Sequence, residues 1–83
     1  MRARVFVELR AGVLDTQGKA VASALIELGF GEVQGARVGK LIELELAGSD
    51  RAAAESRVNA MCAQLLANSV IETYSIEIIS ESV

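Results

Sequence analysis

The chain has 83 residues, 52% of them hydrophobic and 23% charged, and it carries a net charge of −3. So apolar a composition excludes a disordered tail, and no apolar run approaches the roughly 20 residues that a membrane-spanning helix needs. The acidic balance argues against nucleic acid as a partner, because binders of that kind draw most of their affinity from Lys and Arg set against phosphates.

From Ala3 to Arg10 the pattern alternates, with Ala3, Val5, Val7 and Leu9 pointing one way and Arg4, Phe6, Glu8 and Arg10 the other. This predicts a half-buried strand that Gly12 ends. The opening Met1-Arg2-Ala3-Arg4-Val5 runs straight into that alternation and soon meets Glu8, so it does not read as a signal peptide. Asp15 is the expected N-cap of a first helix, its carboxylate facing the free N–H groups of Gln17 or Gly18. Val21, Ala24, Leu25 and Leu28 follow at helical spacing and make one apolar face. Gly29 suits the left-handed position past the helix end, with Phe30 folding back toward Leu25.

A second strand is expected over Val33 to Val38, weakened by Gly35, with Val38-Gly39 as a tight turn into a third strand at Leu41 to Ala47. In that third strand Ile42, Leu44 and Leu46 face inward and Glu43 and Glu45 outward. Ser49 is the better N-cap of a second helix, with Asp50 near the positive end of its dipole. Ala54, Val58, Met61, Cys62 and Leu65 share its apolar face. Asn68 is the expected left-handed stop. A last strand over Val70 to Ile79 puts Tyr74, Ile76 and Ile78 on one side, and Glu81 to Val83 are expected to fray.

This order predicts a single α+β domain over residues 1–83. Its fold would be a ferredoxin-like βαββαβ sandwich, a four-stranded antiparallel sheet with two helices on one face. The opposite face would carry Phe6, Leu41 and Ile79 among Arg4, Glu8, Glu43, Glu45 and Glu77. So small a domain hides only roughly 60% of the surface its unfolded chain exposes, and it gains from oligomerising. The apolar residues of the open face are therefore expected to make oligomer contacts in a homo-dimer or homo-tetramer.

The chemistry on offer is sparse. There is no histidine and a single cysteine, so the commonest general base and metal ligand is missing and no internal disulfide can form. Cys62 lies among apolar neighbours on a helix face and is expected to be a buried structural thiol. No metal site and no catalytic residue is predicted. The lone cysteine fits a reducing, cytoplasmic setting. The glycines at 29, 31, 35 and 39 follow a helix instead of opening one, which is the wrong context for a phosphate loop.

Two segments stand out. In Asp15-Thr16-Gln17-Gly18-Lys19, Gly18 lies in the first helical turn, where it costs roughly 1 kcal/mol relative to Ala. A close approach by another backbone would explain it, and Lys19 is placed to meet an acidic partner. In Arg37-Val38-Gly39-Lys40, two cations flank a predicted turn and suit a carboxylate or phosphate.

Three stretches, GVLDTQGKAVASAL, LGFGEVQGARVGKLIELEL and MCAQLLANSVIETYSIEI, resemble in this order the PurS family of small phosphoribosylformylglycinamidine synthase subunits, over about residues 3 to 79. The most specific parts are GVLDxQGKAV at 12–21, RxGK at 37–40 and LLANxVIExY at 65–74. The family commonly has proline where this chain has Thr16 and Ser69. Proline is only a favoured option at a first helical position, and Ser69 leaves its turn less rigid.

The resemblance implies a non-catalytic subunit of an ATP- and glutamine-dependent ligase complex in purine biosynthesis. It would bind no cofactor itself, while partner subunits PurL and PurQ use ATP, Mg and glutamine. PurL would perform the ligation, PurQ would release ammonia, and this chain would bridge them and support ammonia transfer. Asp15, Gln17, Gly18, Lys19, Arg37, Gly39 and Lys40 are the expected partner contacts. A regulatory domain of ferredoxin-like fold that binds a small ligand remains the alternative. An RNA-recognition domain shares the strand order but stacks bases on sheet aromatics, and Phe6 is the only aromatic expected on the open face.

Overall fold

The computed structural model describes residues 1–79, so the expected fraying of Glu81 to Val83 lies outside the described residues. Its elements are β1 (Arg2–Leu9), α1 (Thr16–Glu27), β2 (Lys40–Glu45), α2 (Arg51–Met61), a π-helical turn (Cys62–Leu66) and β3 (Glu72–Ile79). The three strands form one antiparallel sheet in the order β2-β1-β3. The central strand reads as its alternation predicts. Ala3, Val5 and Val7 are buried, and opposite them stand Leu44, Ile42 and Lys40 on β2 and Ile78, Ile76 and Tyr74 on β3. Val58, Cys62 and Ala67 close this core from the helix side.

The expected four-stranded sheet with two helices on one face is not what forms. Val33 to Val38 is no strand, and no hairpin turn forms at Val38-Gly39. The Val38 N–H is bonded instead to the Asp15 carboxylate at 2.8 Å, which ties the returning chain to the start of α1. The chain then enters β2 directly, with Gly39 pressed against β1. A side chain there would bring its first carbon to 2.7 Å from the Val7 carbonyl oxygen.

The first helix also departs from expectation. Its caps are as predicted: the Asp15 carboxylate accepts from the Gly18 N–H at 2.8 Å, Gly29 takes a positive φ of 104°, and the Phe30 N–H reaches back to the Leu25 carbonyl at 3.0 Å. Its apolar face, however, is not on the sheet. Val21 is 43% exposed and Leu28 73%, and α1 makes no extensive contact with any strand or with α2. Residues 16–36 form an arm that stands away from the sheet. The radius of gyration is 16.4 Å, against about 12 Å for a compact chain of this length.

Two smaller corrections concern α2. Its N-cap is Asp50, not Ser49, with the carboxylate accepting from the Ala53 N–H. The helix does not stop on a left-handed Asn68, since no residue other than glycine has positive φ among the described residues. It widens into the π turn, closed by the Ala67 N–H on the Cys62 carbonyl. A π turn holds one residue more than an α turn. The inward position expected of Leu65 therefore passes to Leu66, leaving Leu65 83% exposed. In the isolated chain, urea unfolding is expected to show Leu66→Ala losing about 1 kcal/mol or more and Leu65→Ala staying within about 0.5 kcal/mol of the parent; a regular helix would reverse the ranking.

Candidate functional site

The two segments singled out by sequence meet at the root of the arm. One oxygen of Asp15 caps α1 through the Gly18 N–H, and the other holds the Val38 N–H, each at 2.8 Å. These two bonds stabilise the ionised form and, with Arg37 nearby, hold the Asp15 carboxyl below its ordinary range against a smaller opposing effect of burial. Gly18 is explained by the same geometry. A side chain there would run into the carbonyl oxygen of Ala36 and the Asp15 carboxylate. The expected close backbone approach exists, and it is the chain's own.

The cations near this turn are already engaged within the chain. Arg37 donates to the Leu9 carbonyl at 2.7 Å and lies 3.6 Å from the Glu8 carboxylate. Lys40 lies 3.8 Å from Glu72. Gln17 lines a cleft of about 310 Å³ with Leu14, Asp15, Gly39, Lys40 and Glu72. A second cleft, of about 340 Å³, runs from Arg37 and Gly39 to Phe6 and Leu41. Lys19 lines neither cleft. It is exposed on the first turn of α1 and makes no ion pair among the described residues.

On the open sheet face Phe6 stands directly opposite Leu41, and they are 40% and 50% exposed. Ile79 pairs with Arg2 at the far end of the same strand, so it does not join them. Between these ends, Arg4 lies 3.8 Å from Glu43 and 3.6 Å from Glu77. Such exposed pairs contribute about 0–1 kcal/mol each, which leaves the face solvated but ordered.

Sequence reasoning missed Glu72 and Arg10. Glu72 accepts from the Asn68 N–H at 2.7 Å with one oxygen and faces Lys40 with the other. Arg10 donates to the Ser69 carbonyl through two nitrogens. The Asn68–Glu72 bond spans four residues into a strand and matches no helix-capping pattern; the Arg10 contact spans 59 residues and left no local signal. Cys62 is buried as predicted, and burial pushes its thiol up from its ordinary value. The arrangement thus offers bonded backbone, ion pairs and apolar surface. Among the described residues, no three His, Cys, Asp or Glu are grouped to hold a metal ion, and no helix is long and apolar enough to cross a membrane.

The model of the PurS family, described as phosphoribosylformylglycinamidine (FGAM) synthase, matches residues 2–80. The chain belongs to the PurS family. It is 51% identical over 75 residues to the phosphoribosylformylglycinamidine synthase subunit PurS of Synechocystis, covering 90% of this chain and 75% of that protein. The crystal structure of Methanocaldococcus jannaschii PurS, one of the subunits of formylglycinamide ribonucleotide amidotransferase in the purine biosynthetic pathway, superimposes with a TM-score of 0.89. That match has 32% identity and covers 98% of each chain. A chain in the structure of PurLQS from Thermotoga maritima superimposes with a TM-score of 0.84 at 30% identity, covering 92% of this chain and 93% of that one. The PurS match therefore extends over the arm as well as the sheet.

The Asp15 clasp has a signed pH dependence. A carboxylate whose folded pKa lies below its unfolded one contributes stability that is whole above about pH 4 and is lost as pH falls through the lower folded value. The melting temperature of Asp15→Asn is expected to fall below the parent's by a constant amount between neutral pH and about pH 5, the gap closing in stronger acid. A gap that persists unchanged to pH 2 would assign the loss to something other than the charge.

Proposed function

We propose that this chain is the small subunit of FGAM synthase in purine biosynthesis, with no catalytic residue of its own. It would dock to a PurL-type synthetase and a PurQ-type glutaminase, hold them in one geometry and support ammonia transfer between them. ATP, Mg and glutamine would be used by those partners and not by this chain. The setting would be the cytoplasm, where purine precursors and reduced thiols coexist.

The observation that carries this reading is the match, over 92% of this chain, to a chain within PurLQS of Thermotoga maritima. The chemistry of the residues supports it. With no histidine and a buried thiol of raised pKa, the chain lacks an activated nucleophile or base. What it does present is surface. Lys19 makes no ion pair among the described residues and stands on a helix tied through Asp15 to Val38, just before β2. Gln17, Gly39 and Lys40 border the cleft beside it, and Asp15, Gly18 and Arg37 hold that border in shape. Phe6 and Leu41, with Ile79 farther along, provide a second, flatter face for contact with another copy of the chain.

A reconstituted synthase tests the reading. Omitting this chain is expected to abolish turnover driven by glutamine while turnover with free ammonia survives. Lys19→Glu should lower the glutamine-driven rate and weaken co-elution with the partner subunits by about tenfold, the scale of one lost charge contact, with the far-UV spectrum of the isolated variant unchanged. Full glutamine-driven activity without the chain would refute the coupling role.

A further inference from the structure

The connection between the π turn and β3 is built more firmly than a plain link requires. The π turn ends at Leu66 and β3 begins at Glu72. Between them three side chains fix the backbone. The Glu72 carboxylate accepts from the Asn68 N–H at 2.7 Å, the Asn68 side-chain oxygen accepts from the Val70 N–H at 3.0 Å, and the Arg10 guanidinium donates to the Ser69 carbonyl at 2.9 and 3.2 Å. The Asn68 carbonyl accepts from the N–H groups of Ile71 and Glu72, and the Arg10 N–H donates to the Ile71 carbonyl.

What this frame displays is apolar. Val70 in the turn is 79% exposed, Leu65 in the π turn 83% and Ile71 39%. Solvated turns are ordinarily made of Gly, Pro, Asn, Asp and Ser, so the valine serves no need of the turn itself. The π turn sends Leu65 outward as Leu66 goes to the core, and π turns recur at functional sites. Arg10, which holds the turn, is exposed and makes no ion pair among the described residues. The connection therefore sets large apolar side chains beside a positive charge that no carboxylate of the chain neutralises.

We propose that this turn is a preformed plug for another subunit of the synthase, Val70 and Leu65 entering an apolar pocket whose rim carries a carboxylate facing Arg10. The inference rests on the reading above and specifies a surface that docks. The charge selects the occupant, since an acidic rim complements Arg10 and a basic one repels it. A turn already held by its own bonds loses little freedom on docking, which leaves more of the contact energy as affinity. The turn is part of neither the arm nor the open sheet face of Phe6 and Leu41, so it stays clear for a different protein when copies of the chain associate. It is also continuous with the border beside Lys19, because Glu72, which fixes the turn, lines the cleft there with Gln17 and Lys40.

Titration of the chain against PurL-type and PurQ-type subunits, with ATP, Mg and glutamine present, tests the proposal. Val70→Asp and Leu65→Asp are each expected to raise the Kd for one of those subunits about tenfold and to lower the glutamine-driven rate. Val70→Lys should lose several-fold less than Val70→Asp, because a carboxylate rim repels the one and tolerates the other. Melting temperature and sedimentation of the isolated variants should match the parent, since both side chains are exposed. A parent that binds neither subunit would sink the reading above and the plug with it. A parent that binds, with all three variants binding as well as it does, would sink the plug alone. So would equal losses with Asp and Lys at position 70, or variants altered only in the association of the chain with itself.

Discussion

One carboxylate sets the layout of this chain. Asp15 holds one free N–H of the first turn of a helix, that of Gly18, with one oxygen and the N–H of Val38, twenty-three residues later, with the other. The two bonds close the arm at its root, bring its outgoing and returning strands of chain side by side, and deliver Gly39 and Lys40 to the edge of β1. Each bond alone is ordinary. Shared by one ionised group they act together, because neither N–H can leave without stranding half of the acceptor. The glycines at 18 and 39 belong to the same arrangement, since each lies where a side chain would strike a backbone carbonyl.

The sheet depends on a different principle. Its central strand is covered on the helix side by a single helix, and this suffices to bury Ala3, Val5 and Val7 completely. It does not suffice for the flanking strands, where Ile78 is buried but Ile42, Leu44, Tyr74 and Ile76 remain half-buried. A domain with so little enclosed core sits near the lower limit of independent stability. Surface left over from folding is then available for assembly, and in this chain that surface is divided between the arm and the open face of the sheet. A subunit of this design acts by holding others in place. Its titratable groups fit that role, since the perturbed carboxyl is occupied with backbone and the perturbed thiol is out of reach.

Much of this was legible in the chain of letters. Alternation marked β1 and its inward face, the Asp15 and Gly29 caps bounded α1, and the burial of Cys62 followed from its neighbours, because each of these rests on groups a few residues apart. Three motifs in register marked the PurS resemblance. The exchange of Leu65 for Leu66 at the core was not legible. It depends on a single added residue in one turn, which the sequence pattern tolerates in either form.

What the sequence alone determined is which segments are regular and which of their faces are apolar, since periodicity and capping are local physics. Whose surface covers an apolar face is not local. The Val33–Val38 segment has the composition of a strand, and the α1 face has the composition of a helix that lies on a sheet. The tertiary structure decided against both, because the Asp15 carboxylate, reaching across twenty-three residues, ties Val38 to the start of α1, and the chain enters β2 directly from that clasp with Gly39 against β1.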